Sequence, residues 1–345
     1  MNVEDDIVVH IDGAQGEGGG QMLRTSLALS ILTGKPFAME RIRAGRKKPG
    51  LARQHMTCVE AAATISGAEV EGNELGSQSL RFQPGTVQPG DFHFDIGTAG
   101  STTLVLQTVL MPLLLAEGPS RLVLEGGTHN PMAPPFEFLR DTFLPQLRAM
   151  GGQVNLECER PGFYPAGGGR LSVEISPARA LGAYEMLERG ALIGVTAASL
   201  LSLLPDVIAE RELAVVRRKL KLPEDGQIAR IDSANGPGNA VLITVEHEQI
   251  VEVITAVGER SVSAERVATS AARKAQGYLQ HGAPVGEHLA DQLLLPMAVG
   301  GGGRFRTGPL TEHTRTNMRT IQAFVDAKFE ATLVDAHVWE IVVTP

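Results

Sequence analysis

DFHFDIGTAGSTTLVLQTVLMPLLLAEGPSRLVLEGG, residues 91–127, carries the pattern that decides the fold. DFHFDI (91–96) alternates apolar and polar residues as a strand does. GSTTLVLQTVLMPLLLAEG (100–118) has helical apolar spacing between two glycine stops, and SRLVLEGG (120–127) returns to strand character. Within that helix the apolar run from Leu104 to Ala116 contains Gln107, Thr108 and Pro112. At about 13 residues it is too short to span a bilayer and reads as a buried helix. Beyond it, PPFEFLRDTFLPQLRAMG (134–151) reads as a second helix, and QVNLECE and RLSVEIS as two closing strands. The unit is β-α-β-α-β-β.

The same order stands about 85 residues upstream, which makes it an internal repeat at domain scale. IVVHID (7–12) is the first strand, QMLRTSLALSILTG (21–34) a helix and FAMERIRA (37–44) a strand. LARQHMTCVEAAATISGA (51–68) is the second helix, followed by AEVEGN and SLRFQPG as short strands. A partial third copy closes the chain. HLADQLLLPMAVG (288–300) echoes LVLQTVLMPLLLAEG, with Pro296 matching Pro112. GRFRTG is strand-like, HTRTNMRTIQAFVDAKF (313–329) helix-like, and EATLVD and HVWEIVV are the last strands. Residues 184–280 differ in character and include the turn-rich DSANGPGN (232–239). The expected organisation is an α+β catalytic domain of three repeats, 1–183 plus 281–345, with the third repeat following an inserted small α/β domain at 184–280.

Composition narrows the function. Forty-three per cent hydrophobic residues are enough for a core and exclude global disorder. Aromatics are 4%, which disfavours a platform on which many bases stack. Thirty-one basic against 39 acidic residues give a net charge of −8, so the chain is no general coat for nucleic acid or membrane. Cys58 and Cys158 are too few for a disulfide framework or a structural zinc site. MNVEDDIVVH lacks the basic-then-apolar order of a signal peptide. A cytoplasmic protein without membrane contact is the expectation.

Of 39 glycines, fourteen fall in four clusters, GAQGEGGGQ (13–21), GTAGS (97–101), GGG (167–169) and GGGG (300–303). The first cluster follows a strand and opens a helix, where free N–H groups favour an anion. It is neither a Walker A loop nor a dinucleotide fingerprint, since no Gly-Lys-Ser/Thr ends it and Gln21 stands where the last Gly belongs. Glu17 is the one carboxylate among these glycines. Beside a phosphate it is repulsive unless a divalent cation, Mg²⁺ or Mn²⁺, lies between them; a solvated turn is the bland alternative. RIRAGRKKPGLAR (41–53) carries Arg41, Arg43, Arg46, Lys47, Lys48 and Arg53 with no acid. Arg forks suit phosphate, and Arg24 one turn into the first helix can join them; a solvated charge run is the rival. Alternation places Arg41 and Arg43 on one strand face, opposite Ile42. RRKLK (217–221) reads as solvated. In GTAGST, capping by Ser101 or Thr102 needs no ligand. His313 stands at the start of the final helix, after the GGGG loop. A neutral imidazole can attack phosphorus given an orienting partner, although its spacing alone does not single it out.

Taken in order, DGAQGEGGGQ–LR, IRAG–R–KPGL–RQH, GT–NP–APP, GFYPAGGG, GE–LADQL–LPMA and H–TN resemble the RNA 3′-terminal phosphate cyclases along nearly the whole chain. The resemblance implies three repeats similar to a translation initiation factor C-terminal domain, as in enolpyruvyl transferases. It also implies an ATP-dependent, ligase-type reaction at an RNA 3′-phosphate end. A histidine takes AMP from ATP, AMP passes to the RNA 3′-phosphate, and the 2′-OH closes a 2′,3′-cyclic phosphate. By the same resemblance His313 matches the adenylated histidine and Glu17 the metal-linked glutamate. Arg24, Arg43, Arg46 and Gln54 match polar residues around the phosphates. Gln107 and the segment His288, Leu289, Ala290, Asp291 and Gln292 match the ATP site, with Pro134 flanking adenine. His288 stands where the family often has a stacking Tyr, and Pro161 where it usually has Arg or His. Two rivals share the architecture. One is a non-catalytic cyclase-like protein of ribosome assembly, which lacks the nucleophile. The other is an enolpyruvyl transferase, to which the RQH and HTRTN blocks are foreign. A homodimer is expected on general grounds.

Overall fold

A computed structural model of the protein describes residues 8–224 and 226–345. The opening residues tested for a leader, and Ile7 of the expected first strand, lie outside these. Repeat one runs β1 (Val9–Asp12), α1 (Gly20–Thr33), β2 (Phe37–Glu40), α2 (Arg53–Ser66), β3 (Glu69–Glu71) and β4 (Leu80–Gln83). Repeat two runs β5 (Asp91–Asp95), α3 (Thr102–Leu114), β6 (Ser120–Gly126), a π-helical turn (Phe138–Phe143) joined to α4 (Leu144–Ala149), β7 (Gln153–Arg160) and β8 (Gly169–Ser176). Then come β9 (Tyr184–Met186) and an insert of β10 (Leu192–Ser202), α5 (Asp206–Leu220), β11 (Gln227–Arg230), β12 (Gly238–His247), β13 (Val251–Val257) and α6 (Ala264–His281). The chain ends with α7 (Glu287–Val299), β14 (Gly303–Thr307), α8 (Glu312–Gln322), β15 (Lys328–Asp335) and β16 (Val338–Thr344).

Three sheets share one topology: β1-β2-β4-β3, β5-β6-β8-β7 and β9-β14-β16-β15. In each, the first two strands are parallel and the other pairings antiparallel. A parallel pair needs a crossover, and here a helix supplies it. Helices pack within repeats, α1 against α2 and α7 against α8, and between them, α1 against α3 and α8 and α2 against α3. Helix α1 is therefore buried nearly all round, from Gln21 to Ile31 apart from half-buried Arg24. Its polar residues need partners in that setting. Ser30 donates to the Lys35 carbonyl at 2.6 Å and Thr25 to Asn317 Oδ1 at 2.8 Å. Fully buried Phe37 joins repeat one to repeat three, with its ring 5.8 Å from Phe82 and 6.0 Å from Phe324.

The insert begins later than the sequence suggests. Tyr184–Met186 pairs with β14 as the edge strand of the third sheet, so repeat three does not follow the insert whole. The insert interrupts it between first strand and first helix. Three residues carry too little alternation to announce a strand. The insert has its own sheet, β11-β10-β12-β13, with α5 and α6 packed together against it over Val216, Val241, Ile243, Ala268 and Ala272.

Three other elements differ from expectation. The strand read over 37–44 stops at Glu40. Arg41 and Arg43 then turn through left-handed φ of 53° and 54°, so the alternation argument for their shared face does not hold. Gly50 closes this turn, with φ of 80° and its Cα so near the Gly76 carbonyl that a Cβ would overlap it. The helix read over 134–151 starts at Phe136, after Pro134 and Pro135. Its Phe138–Phe143 stretch is π-helical because Pro145 has no N–H to continue an ordinary ladder; Leu144 N–H reaches back to the Leu139 carbonyl instead. The last helix ends at Gln322, and Lys328 already opens β15. No helix among the described residues is long and apolar enough to cross a membrane.

At the junction of the insert with repeat three, Glu252 of β13 is 3% exposed. Its Oε2 has no hydrogen-bond partner. Burial pushes this carboxyl up to about 8, against the Gly286 N–H bonded to it, and Glu287 adds to the rise. A raised acid stabilises the fold fully below its unfolded value near 4.3 and loses that contribution as pH rises through 8. Glu252→Gln is therefore expected to flatten part of the fall in stability between pH 4.5 and 9, by about 2–4 kcal/mol at the alkaline end. Denaturant unfolding across that range measures it, and a curve parallel to wild type contradicts it. A residual slope should remain, because burial also raises Glu212 to about 7 and Asp291 to about 6.

Candidate active site between the first and third repeats

The glycine loop after β1 folds against α8. Gly16 has φ of 58°, and a Cβ there would overlap Thr316 Oγ1. That same hydroxyl accepts the Glu17 N–H at 3.1 Å. The loop thus delivers Glu17 to the start of α8, where Thr311 caps the helix by accepting Thr314 N–H at 3.1 Å. His313 stands in this first turn. Its Nε2 lies 3.7 Å from Glu17 Oε1. The Glu17 carboxylate is also ion-paired with Arg46. Three residues separated along the chain, Glu17, Arg46 and His313, therefore converge. The His313 side chain is half exposed and accessible to a substrate.

Behind His313 lies a polar layer. Its Nδ1 is 3.0 Å from Gln21 Oε1, and Gln21 Nε2 hydrogen-bonds Asp291 Oδ1. Asn317 donates to the Asp291 carbonyl at 3.0 Å. Burial is the main cause raising Asp291; His313, Gln21, Arg24 and Asn317 oppose it. A cavity of about 70 Å³ opens beside this layer, lined among others by Arg24, Gln107, Asp291, Gln292 and Asn317. Burial lowers the Arg24 guanidinium, with Cys58 and Asp291 opposing. His55 forms part of the floor. Its Nδ1 accepts Ala52 N–H at 3.1 Å, and its Nε2 sits so close to Gly20 that a Cβ there would overlap it. Burial first, then Arg24 and Arg43, push His55 down to about 3, so it is neutral. Helix α1 has no side-chain N-cap at Gly19, so no side chain neutralises the positive end of its dipole there.

The remaining expected residues spread outward. Arg43 Nη1 donates to the Gly50 carbonyl at 2.6 Å and stiffens the basic turn, while Arg41 pairs with Asp12. Lys47 and Lys48 are exposed. Gln54 Oε1 accepts Ser101 N–H at 2.7 Å, and Ser101 caps α3 by accepting Leu104 N–H at 3.3 Å, as expected of a hydroxyl there. The run His288 to Gln292 does not act as one surface. Asp291 and Gln292 line the small cavity, His288 a separate one of about 440 Å³, and Leu289 and Ala290 are buried in the core. Five consecutive helical residues cannot share a face. Pro134 accepts Thr103 Oγ1 at 2.7 Å through its carbonyl and lines neither of these two cavities.

Sequence reading assigned no role to Gln21, Thr316, Asn317 or His55. The spacing of 313 and 317 on one helix face was a signal for Asn317; nothing local pointed to Thr316. Among the described residues no group of three or more His, Cys, Asp or Glu is placed to hold a metal. Glu17 fits a cation that draws its other ligands from phosphate oxygens and water, as Mg²⁺ commonly does.

A protein-family model described as RNA 3′-terminal phosphate cyclase matches residues 15–331. A protein of that name from Koribacter versatilis is 52% identical over 324 residues, covering 94% of this chain and 91% of its own. One from Pseudomonas fluorescens is 50% identical over 97% of each chain. One from Ralstonia nicotianae is 48% identical over 96% of this chain and 97% of its own.

Proposed function

This chain belongs to the RNA 3′-terminal phosphate cyclase family, and from that premise we propose that it uses ATP to convert an RNA 3′-terminal phosphate into a 2′,3′-cyclic phosphate, with His313 as nucleophile. The observation that supports this most is the approach of His313 Nε2 to Glu17 Oε1, 3.7 Å apart and drawn from opposite ends of the chain. A non-catalytic relative would have no reason to hold these groups together, and the family match sets the enolpyruvyl transferase reading aside.

The chemistry follows from what a phosphate monoester lacks, a good leaving group. In the first step His313 Nε2 forms a bond to the α-phosphorus of ATP while the bond to pyrophosphate breaks. The RNA 3′-phosphate oxygen then takes AMP from the ring nitrogen. Finally the neighbouring 2′-OH attacks the activated phosphorus, loses its proton, and AMP departs with the bond electrons. The last step is intramolecular and gains effective molarity. Most of the protein's task is positioning and charge neutralisation.

Arg46, paired with Glu17, stands where it can reach a phosphate oxygen beside that carboxylate. Mg²⁺ or Mn²⁺ held by Glu17 would supply charge neutralisation on the ATP phosphates. Arg24 and the N-terminus of α1 receive phosphate oxygens, and neutral His55 adds a donor at Nε2. Arg43 and Gln54 shape the adjoining pocket for the RNA end through the Gly50 and Ser101 contacts. Gln107, Asp291 and Gln292, around the smaller cavity, receive the sugar of ATP, and the base extends toward His288 on the larger one.

The test uses an RNA bearing a labelled 3′-phosphate. With ATP and divalent metal, the label should become resistant to phosphatase and regain sensitivity after mild acid opens the ring. ATP consumption without a phosphatase-resistant end, or equal reaction of a 3′-hydroxyl end, defeats the proposal.

A further inference from the structure

We propose that Gln21 is a positioning residue that sets the tautomer of His313, with Asp291 fixing which way its amide faces. This inference rests on the reading of His313 as the nucleophile. It explains how a half-exposed imidazole presents a bare nitrogen to phosphorus.

A neutral imidazole carries one N–H, on either ring nitrogen. Only the nitrogen without hydrogen can attack. In solution a histidine exchanges between both forms, so a nucleophilic site needs a device that favours one. An amide side chain has two different ends, a donor NH₂ and an acceptor oxygen, and coordinates alone do not distinguish them. Chemistry distinguishes them here. Asp291 as a carboxylate accepts only, so the end of Gln21 facing its Oδ1 must be the NH₂. The oxygen then faces His313 Nδ1 at 3.0 Å, and an oxygen acceptor there requires hydrogen on Nδ1. The bare nitrogen is Nε2, the atom directed toward Glu17.

The relay is held firmly. Gln21 is 7% exposed in the first turn of α1. Asp291 sits on α7, where Asn317 of α8 donates to its carbonyl at 3.0 Å. Asn317 Oδ1 in turn accepts Thr25 Oγ1 of α1 at 2.8 Å. Hydrogen bonds among three helices thus hold the amide in place.

The first measurement is the ring ¹⁵N spectrum of the full chain with labelled histidine, with the His313 signals assigned by their loss in His313→Ala. Nδ1–H is expected in wild type, and a dominant Nε2–H signal overturns the proposal whatever the variants do. Gln21→Leu should mix the tautomers. It should slow formation of the histidyl-AMP by about 10²-fold, with the KM for ATP changed little, since wrong-tautomer defects act on the chemical step. A rate within twofold of wild type with an unchanged spectrum overturns it. The double variant Gln21→Glu with Asp291→Asn reverses donor and acceptor between the two side chains yet still offers His313 an oxygen. It should recover much of the rate lost in Gln21→Leu, and a merely structural role for Gln21 predicts no recovery. Failure of the nucleophile reading looks different: labelling by ATP would then persist in His313→Ala.

Discussion

Replacement of His313 by alanine is expected to abolish covalent labelling of the protein by ATP carrying a radioactive α-phosphate, and with it all cyclisation. The wild-type label should be acid-labile and released by hydroxylamine, as a phosphorus–nitrogen bond is. The loss should be complete because no other group can replace the ring. Glu17, the carboxylate 3.7 Å from Nε2, is committed to Arg46, and neutral His55 is 8% exposed. The fold should persist, because the His313 side chain is half exposed and the helix cap belongs to Thr311. Unfolding curves should overlay wild type within about 0.5 kcal/mol, the usual range for surface positions. A label of undiminished strength in His313→Ala moves the nucleophile to another residue.

Glu17→Gln should lower the labelling rate by about 10²-fold or more, comparable to removal of one strong electrostatic group from a phosphoryl-transfer site. The substitution preserves volume. The loop itself is anchored through the Glu17 backbone N–H to Thr316, so its course should survive loss of the charge. What disappears is the negative oxygen that would hold a divalent cation beside the ATP phosphates. The rate of the variant should therefore respond weakly to Mg²⁺ or Mn²⁺ over a range in which wild type rises steeply. Equal labelling of both proteins at limiting metal removes the metal role from Glu17 and leaves its pairing with Arg46 as its function.

Much of this architecture is legible in the sequence because each repeat announces itself. Helix α3 and helix α7 share an apolar pattern down to Pro112 and Pro296, and both became buried helices. What could not be read is equally specific. Arg41 and Arg43 alternate with Ile42 as a strand would, yet the turn closed by Gly50 against Gly76 sends the backbone left-handed. A strand of three residues, Tyr184–Met186, has no pattern, and its partner lies beyond the insert. In the candidate site, Glu17 stood out as the one carboxylate among the glycines, and His313 by family likeness alone. Gln21 did not, because its meaning comes from a neighbour 292 residues away. Asp291 and Gln292 were named in a run with Leu289 and Ala290, and only the helix geometry separates cavity wall from core.

The interrupted third sheet governs when the molecule can first work. Its opening strand meets β14 through residues 119 apart, as in the Arg304–Glu185 ion pair. Long-range pairing of this kind forms late, since a long stretch of chain must be ordered first. His313 lies beyond that pairing, while Glu17 and Gln21 come from the glycine loop and the first helix, which leave the ribosome early. With His313 as the proposed nucleophile, a growing chain would carry Glu17 and Gln21 from the outset but gain the reacting ring only after this pairing can form, so truncation before residue 313 should leave a polypeptide that takes no label from ATP.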